Sequence, residues 1–214
     1  MKITRKELDK RITAVLKVLV KETDFKKRDC ILFKKKQEYF ISIMVSATGV
    51  DNNLINVSCK VKPYFMDDIF WDVFLMPGNS NQPMGLRANG AFATRGPQIY
   101  EESIEIDNYD NVEEYVRILF EKSRKISDTV IDTFGNDFWK FIEFSKGVEK
   151  KGLYDLSLAI MLLYIEEGKF REAKEFSLNE MGNRRYGHFE NKGKDIYEYI
   201  VDYCEKKLEG KVCQ

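Results

Sequence analysis

Residues 25–63 read FKKRDCILFKKKQEYFISIMVSATGVDNNLINVSCKVKP, and this stretch decides the fold. In its last third Ile55, Val57, Cys59 and Val61 alternate with Asn56, Ser58, Lys60 and Lys62. That period of two predicts a strand with one buried face and one wet face. Residues 39–45 are denser in Tyr, Phe, Ile and Val and read as its more central neighbour. Residues 30–33 supply a third run, joined through the polar connection Lys34-Lys35-Lys36-Gln37-Glu38, so an antiparallel meander is expected.

The flanks read as helices. On the N-terminal side, residues 4–21 place Leu8, Ile12, Val15, Leu16 and Leu19 on one stripe. Thr4 and Glu7 form the Thr-x-x-Glu pattern of a capping box ahead of it. On the C-terminal side Pro63 should end the strand, since proline cannot donate into a ladder. Asp67 is then placed to cap a short helix carrying Ile69, Phe70, Val73 and Phe74. Residues 77–97, PGNSNQPMGLRANGAFATRGP, lack periodicity and read as a long irregular excursion with one short strand around 86–92. A strand over 98–106 follows, then a long helix over 112–134 capped by Asp110 and Glu113 and stopped at Gly135. Its expected inner face is Tyr115, Val116, Leu119, Ser123, Ile126, Val130 and Phe134. Asn136 is the expected cap of an aromatic helix over 137–145, and the chain closes with a helix pair broken at Gly168 and a last helix over 194–208.

Composition narrows the function classes. The chain has 214 residues, 43% apolar and 33% charged, which is a folded protein with a core of useful size. Its 35 basic and 35 acidic side chains cancel, so no overall field favours nucleic acid. The distribution is uneven: residues 1–36 hold 13 Lys/Arg against 5 Asp/Glu, and residues 98–138 hold 4 against 11. These segments either face each other or form two poles. No run approaches the ~20 apolar residues of a membrane helix, and Lys17 and Lys21 interrupt the first apolar stretch, so neither a membrane span nor a signal peptide is expected. Cys30, Cys59, Cys204 and Cys213 lie far apart without a C-x-x-C pair, which reads as free thiols in a cytoplasmic protein.

Two partial resemblances carry no site residues. The first helix, Phe25-Lys26-Lys27, Phe33 and the strands ending at Val61-Lys62-Pro63 resemble a bacterial domain family of unassigned function. Tyr164, Gly168, Phe170 and Ala173 are similar to half of one tetratricopeptide repeat. A stable array needs about three such units, so a generic helical hairpin is the expectation.

The chemistry is sparse. His188 is the sole histidine and reads as a loop surface residue, and no phosphate-binding or nucleophile-elbow motif occurs. Asp67-Asp68 and Asp107 with Asp110 read as acids at helix starts. The lysine runs 26–28 and 34–36 read as strand-edge protection. The excursion is the best candidate surface, because long irregular loops inside domains are often functional. Arg87, Asn89 and Arg95 offer donors to an anionic group, with Trp71 close in sequence.

The sequence thus predicts an α+β protein: an antiparallel sheet of four to six strands packed by helices, with an α+β domain over 1–146 and a helical part over 147–214. No catalytic residue, metal ligand or cofactor is assigned. The expected function is a non-enzymatic cytoplasmic interaction protein of the immunity or regulatory kind, with a protein partner. The alternative is an enzyme or small anionic-ligand binder working through residues 77–97.

Overall fold

The computed structural model describes residues 4–48, 54–148 and 154–212. The architecture is α+β, with a five-stranded sheet and a helical C-terminal part, as the sequence predicts. Two compact units divide the chain: Met1–Lys62 with Gly96–Asn136, and Pro63–Arg95 with Asp137–Gln214. This differs from a cut at residue 146. Residues 63–95 group with the helical part, where aromatic side chains pack, as in the edge-on contact of Phe65 with Phe138.

In the sheet unit, α1 (Arg5–Glu22) starts at Thr4, whose hydroxyl accepts from the Glu7 amide and donates to the Glu7 carboxylate. The expected stripe, Leu8 to Leu19, is the buried one. The strands follow as β1 (Lys26–Arg28), β2 (Ile31–Lys36), β3 (Tyr39–Thr48), β4 (Leu54–Pro63) and, after the excursion, β5 (Gln98–Glu105), in that spatial order. β1 was not legible, since three residues carry no period. Two-residue turns with Asp29 and Gln37 at positive φ close the first two hairpins, so β2 runs on through Lys36.

The wet face expected for β4 is partly dry. Ser58 is 5% exposed and Lys62 is 3% exposed. Ser58 donates to the Gln98 side chain on β5 at 2.8 Å, and the Lys62 ammonium lies 5.4 Å from the centre of the Phe40 ring. Burial there costs little because each polar group has something to meet.

The long helix α4 (Val112–Phe134) packs with α1 against β3 and reaches β5. Its buried face is Val112, Val116, Leu119, Phe120, Ser123, Ser127, Ile131 and Phe134, rotated from the expected one so that Tyr115, Ile126 and Val130 are half-buried. Phe120 meets Phe25 edge-on at 5.2 Å, and the Cys59 thiol meets the Ser123 carbonyl at 3.8 Å. Asp110 does not cap this helix: it sits in a 3₁₀ turn whose amide is held by Asn108. Gly135, at φ 55°, ends it as expected.

The charge-rich segments 1–36 and 98–138 lie against each other here. Lys36 reaches Asp128 at 3.0 Å and Asp132 at 3.2 Å, and Arg117 on α4 reaches Glu22 on α1 at 2.6 Å. Lys34 pairs with Asp24 and Lys35 with Glu38, so every lysine of that run has an acidic neighbour.

The helical unit comprises α2 (Phe65–Val73), the single turn α3 (Leu86–Asn89), α5 (Phe138–Val148), α6 (Leu156–Glu166), α7 (Phe170–Gly182) and α8 (Ile196–Val212). The strand expected around 86–92 is replaced by α3 and loop. Asp137, not Asn136, caps α5 by accepting from the Trp139 amide at 3.0 Å. α6 is apolar all round and almost wholly buried, with α2, α5, α7 and α8 packed on it. Between α7 and α8 a small hairpin, β6 (Glu190–Asn191) with β7 (Lys194–Asp195), turns at Lys192-Gly193. Both turn residues have positive φ, 50° and 74°, the geometry that suits a two-residue hairpin.

Candidate functional site in the helical unit

The excursion is organised by a buried ion pair. Asp67 and Asp68 fall inside the first turn of α2, so Asp67 is not a cap in the usual position. Asp67 is fully buried, and one of its oxygens accepts from both the amide and the hydroxyl of Thr94 at 2.8 Å. Arg87, 6% exposed, reaches from α3 to place one nitrogen 2.6 Å from Asp68 and another 3.6 Å from Asp67. Its guanidinium lies 4.0 Å from the Tyr64 ring centre and 4.8 Å from that of Trp71. Burial opposes the charge on Arg87, but the Asp68 hydrogen bond and the two carboxylates outweigh it, and its pKa is raised.

Arg87 and Trp71 are therefore interior parts and not a presented surface. Trp71 is buried and its indole N–H donates to the Phe92 carbonyl. Asp67 and Trp71 thus pin residues 92–94, directly before Arg95. Asn89 is exposed at the end of α3. Arg95 is exposed, has no hydrogen-bond or ion-pair partner among the described residues, and lines a cavity of about 390 Å³.

Four separate segments form the walls of that cavity. Met66 of α2 and Leu158, Ala159 and Leu162 of α6 give it apolar walls, with Phe92 from the loop. Asp155, at the start of α6, caps the helix by accepting from the Leu158 amide at 2.9 Å and takes the Tyr197 hydroxyl at 3.0 Å. Burial raises the Asp155 pKa, against the pull of those two donors and of nearby His188. The last wall is His188, Phe189 and Glu190. Neither the His188 nor the Glu190 side chain has a hydrogen-bond partner among the described residues.

Gly187 sets that last wall. A Cβ there would lie 2.1 Å from the Ile196 side chain, so only glycine lets the backbone pass so close to α8. The Ile196 amide then donates to the Phe189 carbonyl at 3.0 Å. A second recess of about 370 Å³ shares His188 and Glu190 and is also lined by Tyr186, Asp195 and Glu198. Burial, with Glu198 and Asp155 nearby, raises the Asp195 pKa against the backbone amides that bind it.

Of the four sequence candidates only Arg95 reaches the cavity. His188 is exposed as expected, yet it forms a wall. Asp155 and Glu190 were missed. The one signal for Asp155 is an Asp directly before the apolar run of α6, which reads as a cap; nothing in the sequence marks Glu190. Among the described residues no group of three or more His, Cys, Asp or Glu is placed to hold a metal ion, and no helix is long and apolar enough to cross a membrane. No family model matches the chain, and no curated protein or solved structure matches it.

Proposed function

We propose that this chain binds a small organic molecule with an apolar body and an anionic group, held in the cavity of the helical unit. One observation carries the reading: a concave space with apolar side chains on its walls, and Arg95 among them with no partner for its guanidinium among the described residues. Binding sites have this make-up, apolar walls with a few convergent polar groups. An unpaired guanidinium is the natural partner of a carboxylate or phosphate. The cavity volume, about 390 Å³, falls at the small end of ligand pockets.

Binding is favoured over covalent catalysis. Thr94 is the one hydroxyl or thiol side chain among the described lining residues, and its hydroxyl donates to Asp67. The charged poles that favour a protein partner in the sequence instead compensate each other in the sheet unit. A protein partner is the second reading, favoured by β5. That strand pairs on one side only among the described residues, and its exposed Glu101 and Glu105 suit a basic extended segment. Free thiols at Cys30, Cys59 and Cys204 support placing the chain in the cytoplasm; Cys213 lies outside the described residues.

Titration calorimetry with 4-methylpentanoate tests the first reading. Saturable one-site binding, weakened about tenfold or more by Arg95→Gln, is expected, since a charge-assisted hydrogen bond contributes about 1.5–3 kcal/mol. Absence of saturable binding in the millimolar range, by this acid and by its zwitterionic analogue leucine alike, would overturn it.

A further inference from the structure

The cavity carries charge of both signs, and this points to a narrower ligand class. Arg95 enters from the loop after α3, while Asp155 enters from the start of α6 and Glu190 from β6. Besides His188, the lining has one cation and two carboxylates. A purely anionic ligand would satisfy Arg95 and meet an excess of negative charge. The Glu190 side chain has no hydrogen-bond partner among the described residues, and the neighbouring recess that Glu190 also lines adds Asp195 and Glu198.

We infer that the ligand is a zwitterion with an apolar side chain, of the α-amino acid or short-peptide class, its carboxylate on Arg95 and its ammonium on Glu190 and Asp155. This rests on the small-ligand reading above and deepens it. The apolar body meets Met66, Leu158 and Leu162. An ammonium has three donors and no acceptor, so it can be shared between two carboxylates, and Asp155 keeps acceptor capacity beyond the Leu158 and Tyr197 bonds. The raised pKa of Asp155 supports the assignment, because a bound cation relieves the cost of holding that carboxylate out of water.

Three compounds sharing one branched aliphatic body test the inference: leucine, 4-methylpentanoate, which lacks the ammonium, and 3-methylbutylamine, which lacks the carboxylate. Calorimetry on the full chain near neutral pH should rank leucine at least about tenfold tighter than either of the others. Glu190→Gln should weaken leucine about tenfold and leave 4-methylpentanoate unchanged or tighter. Arg95→Gln should weaken leucine and 4-methylpentanoate and spare the amine. Both side chains are exposed, so neither variant threatens folding. If 4-methylpentanoate binds as tightly as leucine, the zwitterion inference fails while the ligand-binding reading stands. If none of the three binds saturably, both fall.

Discussion

The two units treat charge in opposite ways. On the sheet unit, opposite charges meet at half-exposed positions between elements, as Lys36 does with Asp128 and Asp132. Such pairs contribute little each and mainly balance the surface. In the helical unit one set of charges is taken out of water and locked, Arg87 with Asp67 and Asp68, and another set is left open around a cavity. Arg87 and Arg95 belong to the same glycine-rich excursion, yet one has two carboxylates and two aromatic faces and the other has none among the described residues. The locked arginine shapes the loop, and the open one is available to a ligand.

The comparison is most exposed to a change at Arg87. Arg87→Ala strands Asp67, which is fully buried, without its cation, and removing one partner of a buried pair costs about 3–5 kcal/mol. The urea midpoint should fall accordingly; a loss no larger than that of a surface pair would erase the distinction between the two arginines. In the sheet unit the comparable weak point is steric and not electrostatic. A Cβ at Gly96 would lie 2.3 Å from the Val61 carbonyl oxygen, so Gly96→Ala should cost about 1–3 kcal/mol. Circular dichroism through a denaturant series would show it.

A smaller effect should appear in the pH profile. The folded-state pKa of Asp155 is raised above its unfolded value by burial. The folded chain therefore binds the more protons between the two values, and stability falls as pH rises through that window. Asp155→Asn keeps an acceptor for Leu158 and Tyr197 and loses the proton. The variant should show a shallower decline than the parent from about pH 4 towards neutrality, a difference that parallel thermal melts would detect. Least of all should stability respond to Arg95→Gln, within about 0.5 kcal/mol, although ligand affinity drops.

Much of the sheet unit was legible because local signals and tertiary burial agree there. The α1 stripe, the stop of α4 at Gly135 and the central strands follow directly from periodicity and caps. What failed failed for physical reasons. Alternation in β4 marks which side chains share a face but not whether the second face meets water, as Ser58 and Lys62 show. Residues 86–92 have no period, so a single helical turn and a strand cannot be told apart. The cavity was the least legible feature, since its walls come from α2, the loop after α3, α6 and the segment 188–190. Arg95 was named for its donors. That Asp67 and Asp68 would claim Arg87 depends on α2 turning both acids towards α3, which no local pattern records.

Chemical-shift mapping of the ¹⁵N-labelled full chain during a leucine titration tests the central claim most directly. The account predicts saturating shifts at residues 91–95, 155–162 and 188–190 with the amides of the sheet unit unmoved. Shifts that fail to saturate, or that centre on β5, would contradict it.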